Sequence, residues 1–283
     1  MNRVLVSGYG VMTRGILPHI ASAPDTSVAL LSRHQTVPPC PGVTVTALED
    51  APALRPHVIL GCFENDERSQ DFWTSPAIRR SVEDQGSCCI EISTLSIDRI
   101  AAWHDEIRLL GGTSVESPVT GSRPGAASGV LSAFVYESGK DPRATAVMDT
   151  FVRKRYEFTA PGNPTAFKLV YNAWGAAMLH TLAAFVPTLH SHLGADFDIA
   201  SDIVTSDGWM SLVCASRLGR MMTKDYGDPD FALAHMVKDL RYAHDILGDS
   251  NALLNLVYEQ FTAALASHGG HVDYTAVTEM GMR

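Results

Sequence analysis

The chain of 283 residues is 46% hydrophobic and 19% charged, the composition of a folded protein and not of a disordered one. A formal net charge of −9 argues against a general nucleic-acid binder, whose surface is basic, whereas an anionic small molecule needs only a local site. Five cysteines without a Cys-x-x-Cys pair fit a reduced, cytoplasmic setting. The opening MNRVLVSGYG lacks the apolar core of a signal peptide, and no stretch reads as long and apolar enough to cross a bilayer.

Short apolar runs recur through the first half: RVLVSG (3–8), SVALLS (27–32), HVILGC (57–62), CCIEIS (88–93) and SGVLSAFVY (128–136). Polar, helix-like segments separate them, which implies βαβ units and a mostly parallel sheet. Cys88 and Cys89 should point to opposite faces of their strand. In VLVSGYGVMTRGI (4–16), a strand runs through a glycine turn into a helix. Gly8 permits a tight turn and Gly10 lets a pyrophosphate approach the helix N-terminus. Thr13 stands where the dinucleotide fingerprint has its third glycine, and a bare G-x-G also occurs in ordinary βα turns. The second strand ends LLSRHQ, with Ser32 and Arg33 where NAD-specific folds usually place an acid. Neither repels a 2′-phosphate, and Arg33 can pair with it, which favours NADP(H) while leaving NAD(H) possible.

From residue 163 the pattern changes. NPTAFKLVYNAWGAAMLHTLAAFVPTLHSHLG reads as one long helix, with Asn163 as N-cap, Pro164 at the first helical position and Pro187 kinking or ending it. The stretches 202–222, 231–247 and 251–270 are apolar at helical spacing. The predicted fold is α/β: an N-terminal dinucleotide-binding domain (1–162) and a C-terminal all-helical domain (163–283) joined by a long interdomain helix. The C-terminal helices carry more apolar surface than one domain buries, which predicts a homodimer.

Lys168 lies in AFKLVYNAW (166–174), with apolar residues on both sides. Asn172 is four residues on, so both project from one helix face, which continues into Gly175 and Ala176. Such a setting desolvates the ammonium and suits it to proton transfer near neutrality; the plainer reading is a lysine whose stem covers the core while its charge reaches water. HSH (190–192) lacks partners at metal-ligand spacing, so no metal is expected. GTS (112–114) and GWMS (208–211) lack the nucleophile-elbow form of a serine hydrolase.

Five segments in register resemble the 3-hydroxyisobutyrate dehydrogenase, or β-hydroxyacid dehydrogenase, family over nearly the full length. ESPVTGSRPGAASGVL (116–131) is similar to D-A-P-V-S-G-G-x-x-G-A-x-x-G-T-L, GNPTAFKLVYN (162–172) to the catalytic segment, MVKDLRYA (236–243) to K-D-L-x-L-A and IEISTLS (90–96) to D-M-S-T, while the opening glycine turn stands first. CFEND (62–66) aligns with M-L-P-x-D, Glu64 replacing the proline. The resemblance implies a Rossmann domain followed by a helical domain, with Lys168 as general acid and base and Asn172 holding the substrate or fixing the lysine. It implies that Thr120, Gly121, Ser122 and Lys238 face a substrate, a small carboxylic acid. Gly8, Tyr9, Gly10, Val11, Met12, Ser32, Arg33, Phe63, Glu64, Ser93 and Thr94 would line the cofactor. The implied reaction is NADP(H)-dependent interconversion of a small hydroxy acid and its aldehyde or keto acid, and the implied assembly is a homodimer or homotetramer.

Thr13, Ser117, Thr120, Ser122 and Pro164 depart from the family pattern, and these departures leave the substrate open. An imine reductase or reductive aminase of the same fold is the alternative, although those enzymes commonly carry aspartate or tyrosine where Lys168 stands. A dinucleotide sensor without catalysis would be marked by loss of the lysine–asparagine pair, and both residues are present.

Overall fold

The computed structural model describes residues 1–32 and 37–280, so Arg33 lies outside the described residues. The chain divides into two compact units, Met1–Lys168 and Leu169–Arg283. In the first, the elements run β1 (Asn2–Ser7), α1 (Val11–Ala21), β2 (Thr26–Leu31), β3 (Val43–Thr46), α2 (Ala51–Leu54), β4 (Val58–Gly61), α3 (Asp66–Trp73) and α4 (Pro76–Gln85). There follow β5 (Cys88–Glu91), α5 (Ile97–Leu109), β6 (Thr113–Glu116), β7 (Val119–Thr120), α6 (Ser122–Ala127), β8 (Leu131–Glu137), α7 (Pro142–Met148) and β9 (Val152–Glu157). The order across the sheet is β3-β2-β1-β4-β5-β6-β8-β7, with β9 beside β8. Strands β3 to β6 on this path are parallel; β8 runs antiparallel to β6 and β7 and parallel to β9.

Period-2 alternation builds two separate cores from these strands. Val4, Val6, Cys88 and Ile90 enter one apolar layer, and Leu5, Ile59 and Cys89 enter the other with Trp73 and Trp103. Cys88 and Cys89 therefore point apart, and all five cysteines are free thiols. Burial pushes the Cys88 thiol up to about 12, which keeps it protonated and inert. Helix starts follow local chemistry: Asn65 Oδ1 accepts from Arg68 N–H at 2.9 Å, Ser96 Oγ from Arg99 N–H at 3.1 Å, and Asp141 Oδ1 from Arg143 N–H at 2.8 Å.

Four strands lack an apolar run in the sequence. β3 and β7 are short, β6 is TSVE, and β9 is VRKRYE with most residues at least partly exposed. Pairing with a neighbour, not composition, makes them strands.

The second unit holds most of α8 (Asn163–Leu193), then α9 (Phe197–Asp202), a π-turn over Ile203–Asp207, α10 (Ser211–Thr223), α11 (Leu233–Leu247), α12 (Ala252–His268) and a 3₁₀ segment, Tyr274–Met280. Three expectations need correcting. Pro187 lies inside α8 and does not end it. The 202–222 stretch is broken by extended backbone at Gly208 (φ −80°, ψ 158°) before α10 begins. The helical stretch Asn163–Asp207 is, by length and composition, apolar enough to cross a membrane; Leu169, Ala173, Ala176, Leu179, Ala183 and Val186 on it are buried, as in a core helix. Buried Asp273 ties the chain end down, accepting from Asp230 N–H (3.0 Å), Thr275 N–H (3.1 Å) and the Thr275 hydroxyl (2.7 Å).

Candidate active site

Strand order reverses at β1, which has β2 on one side and β4 on the other, and dinucleotides bind at such switch points beyond the carboxyl ends of the strands. Gly8 leaves β1 with φ +88°, and a Cβ there would run into the Cys62 carbonyl oxygen. Gly10 caps α1 with extended backbone and no side-chain cap, and the first turn holds no acid. A Cβ on Gly10 would meet nothing within 4 Å. The N–H groups of Val11, Met12 and Thr13 have no intrahelical acceptor at a helix start, and the open space beside Gly10 next to them fits a pyrophosphate. The Arg14 guanidinium covers the Tyr9 ring at 5.0 Å and its Nε–H donates to the Tyr9 carbonyl at 3.3 Å, bracing the turn. Thr13 is fully buried, its hydroxyl without a partner among the described residues. Close helix packing falls instead to Gly15, where a Cβ would lie 2.7 Å from that of Ala126 on α6. Ser32 is half-buried just after β2.

At the ends of β4 and β5 the rim is held by a carboxylate that the sequence reading passed over. Phe63 N–H donates to Ser93 Oγ at 2.6 Å, and Ser93 donates its hydroxyl and its N–H to Glu91 Oε1. Glu91 Oε2 accepts from Trp73 Nε1–H at 2.8 Å and the Ser69 hydroxyl at 3.2 Å. Ser69 Oγ in turn accepts from Arg99 Nε–H at 3.2 Å, and Arg99 forks onto Glu106 at 2.7 and 2.8 Å. Burial pushes the Glu91 carboxyl above its ordinary range, while its hydrogen bonds from Ser93, Trp73 and Ser69 pull it back. With every neighbour donating, the ionised, acceptor-only form is the one that matches. Thr94 is half-buried next to this network; Glu64 is exposed, pairing with Arg68 at 3.5 Å.

Thr120-Gly121-Ser122 joins the end of β7 to the start of α6. Gly121 has φ +130° and Ser122 φ +52°, so a serine occupies left-handed backbone where glycine is the unstrained choice. Neither the Thr120 nor the Ser122 hydroxyl makes a hydrogen bond among the described residues, which leaves both available to a ligand.

Lys168 follows a helix start with an unusual cap. Gly162, not Asn163, is the N-cap: its carbonyl accepts the first intrahelical bond, from Ala166 N–H at 2.8 Å. Glu116, at the end of β6 and fully buried, accepts from Gly162 N–H and Thr165 N–H, both at 2.8 Å. This carboxylate outcompetes the local Asn163 amide. His104 Nε2 lies 3.0 Å from Glu116 Oε2 and its Nδ1 2.8 Å from Ser114 Oγ. The chain Ser114–His104–Glu116 resembles a nucleophile relay, but Ser114 is only 2% exposed and no substrate reaches it. One turn beyond Thr165, Lys168 is 6% exposed, too buried for the snorkelling reading.

In the second unit, Asn172 Nδ2–H donates to Asp239 Oδ2 at 2.6 Å. A carboxylate only accepts, so the amide nitrogen must face Asp239, and Asn172 Oδ1 is turned away with no donor among the described residues. Asp239 is 1% exposed and its Oδ1 lies 3.0 Å from Lys238 Nζ. Lys238 is thus mostly covered, unlike a solvated helix lysine. A Cβ on Gly175, one turn along α8, would meet nothing within 4 Å.

Residues 162–280 match the family model described as NAD-binding of NADP-dependent 3-hydroxyisobutyrate dehydrogenase. Over these residues the chain is similar to the 3-hydroxyisobutyrate dehydrogenase family. Glyoxylate/succinic semialdehyde reductase 1 of Arabidopsis thaliana is 28% identical over 202 residues, 69% of this chain and 68% of that one. The 3-hydroxyisobutyrate dehydrogenase (ygbJ) of Salmonella typhimurium superposes with a TM-score of 0.80 at 20% identity, over 99% of this chain and all of the other. Psf3 in complex with NADP+ and 2-OPP superposes at 0.83 with 22% identity, over 98% and 99% of the two chains. An imine reductase of Myxococcus stipitatus with NADP+ shares the fold less closely, at 0.60 and 14% identity over 99% and 100%. The matched model describes NAD binding, and structures that share the fold were solved with NADP+ and with NAD+. The family's departures acquire physical form here. Ser122 holds a glycine's backbone angle, Ser117 is a fully buried hydroxyl without a partner, and Pro164 sits in the first turn of α8.

Proposed function

We propose that the chain is an NADP(H)-dependent oxidoreductase interconverting a small hydroxy acid and its aldehyde or keto acid, with Lys168 as general acid and base. The observation that carries this is the burial of Lys168 one turn after the Glu116-capped helix start, four residues from an Asn172 whose amide is oriented by Asp239. Gly8, Tyr9, Gly10, Val11 and Met12 would cradle the pyrophosphate, Ser32 and Arg33 would meet the ribose end, and Phe63, Glu64, Ser93 and Thr94 would flank the dinucleotide. When bound, the nicotinamide supplies or accepts the hydride. In reduction Lys168 Nζ gives a proton to the substrate's carbonyl oxygen, and in oxidation it takes the hydroxyl proton. Thr120, the Gly121 backbone and Ser122 offer donors to a carboxylate, and Lys238 adds positive charge. Asn172 presents its amide oxygen as an acceptor, so it orients a donor such as the ammonium or the substrate hydroxyl and does not grip a carboxylate.

The plant relative's name supports glyoxylate and succinic semialdehyde as the first substrates to try. A second copy is the proposed partner: Tyr171, Trp174, Met178, Phe185 and Leu189 form an exposed apolar stripe on α8, near the 3.5-residue spacing of paired helices. Free thiols support a reducing, cytoplasmic setting. The test is oxidation of NADPH and NADH, followed by nicotinamide absorbance, with glyoxylate, succinic, methylmalonate and tartronate semialdehydes and a cyclic imine. Turnover of an aldehyde acid with NADPH is expected. Turnover of the imine alone would overturn the proposal in favour of an imine reductase.

A further inference from the structure

We propose that Glu116, backed by His104, is the positioning residue for the Lys168 ammonium. The inference deepens the proposed function and rests on its reading of Lys168 as the acid and base. Glu116 comes from the sheet and Lys168 from the helix, and the link between them is the pair of N–H bonds that Glu116 accepts from the helix start. Glu116 takes two of the orphan N–H groups of the α8 start, those of Gly162 and Thr165, at 2.8 Å each. Its remaining bond comes from His104 on α5, and His104 is itself held by Ser114 and by the Tyr136 ring, edge-on at 5.5 Å. The carboxylate is fully buried, so water does not substitute for any lost contact.

Thr165 and Lys168 are three residues apart and share a helix face, and helical side chains tilt towards the N-terminus. The lysine stem therefore runs back over the turn that Glu116 clamps. A helix start also carries partial positive charge, which disfavours a cation in its first turns. A carboxylate bonded to that start offsets it. Two effects thus converge on one side chain: a fixed first turn and a counter-charge beneath the ammonium. Proton transfer is sensitive to such placement, and a displacement of about 1 Å costs on the order of 100-fold in rate.

The experiment compares wild type, Glu116→Gln, Glu116→Asp and Lys168→Ala with NADPH and the fastest aldehyde acid of the panel. It reads kcat, the solvent deuterium isotope effect, NADPH affinity by fluorescence, and backbone hydrogen exchange over 160–170 in the protein without cofactor. The expected result for Glu116→Gln is a kcat lower by roughly 10- to 100-fold with a larger solvent isotope effect. Exchange should be faster only in the α8 start, and NADPH affinity within about twofold of wild type. Glu116→Asp, which keeps the charge one methylene shorter, should fall between the two, and it carries the test should the Gln variant not fold. Wild-type kcat and isotope effect in a folded Glu116 variant, with Lys168→Ala inactive, would overturn this proposal alone. Full turnover by Lys168→Ala would overturn the reading of Lys168 and this proposal with it.

Discussion

The two units cover their apolar residues in different ways. In the sheet unit, neighbours in sequence such as Val4 and Leu5, or Cys88 and Cys89, enter opposite layers and are all buried. In the helical unit, Trp174, Phe185, Ile199, Trp209 and Leu212 stay exposed, Trp209 at 93%. A strand with helices on both faces of its sheet has no apolar side left over, whereas a helix in a small bundle has one. The sheet unit therefore finishes its own core, and the helical unit leaves apolar side chains exposed, the surface proposed above for a second copy.

That contrast can be broken or sharpened by mutation. The largest effect should come from the proposed acid and base. Lys168→Ala is expected to lower kcat by about 10²- to 10⁴-fold while NADPH affinity, measured by fluorescence, stays near wild type; an unchanged kcat would remove the lysine from the chemistry. Next, Trp174→Glu with Phe185→Glu should convert a dimer to a monomer in light scattering without unfolding it. A wild-type protein that is already monomeric would sink the idea of a partner surface.

Glycine gives a matched pair of tests. Gly8→Ala should destabilise the sheet unit by about 2 kcal/mol or more, because the backbone angle is left-handed and the obstacle is a carbonyl oxygen. Gly175→Ala sits in open space on a helix and should stabilise by up to about 1 kcal/mol; urea melts of both variants check the opposite signs. Ser122→Gly should gain roughly 0.5–1 kcal/mol by relieving its left-handed angle; if its hydroxyl meets the substrate as proposed, KM should rise as the melting temperature rises.

The smallest effect concerns pH. Hydrogen bonds from Arg143 hold the Asp141 carboxyl below its ordinary value. A depressed folded pKa means the stabilisation is present above the unfolded value near 3.8 and is lost as pH falls through the folded one. Arg143→Met should cost less than about 1 kcal/mol at neutral pH, and thermal melts of the two proteins should converge in strong acid. A gap that persists there would assign Arg143 a packing role.

Legibility followed how local the cause was. The glycine turn, the strands of β1, β2, β4, β5 and β8, and the long helix carrying Lys168 and Asn172 were readable, since each rests on spacing within a dozen residues. Glu91 left a faint trace, an acid inside the apolar run CCIEIS. Glu116 left less, because the donors that bury it come from Gly162 and Thr165, far along the chain. The Asn163 cap was misread for the same reason, and β9 was missed because VRKRYE is an edge strand whose pairing, not its composition, defines it.

By itself the sequence determined the α/β plan, the helix that bears the lysine and asparagine, and the family that the chain resembles. Only the tertiary structure decided which acids are buried, which way the Asn172 amide faces, and that Ser122 carries a left-handed backbone. Periodicity encodes which face of an element is apolar. The state of a buried polar group depends on partners that folding brings from elsewhere in the chain, and no local pattern records them.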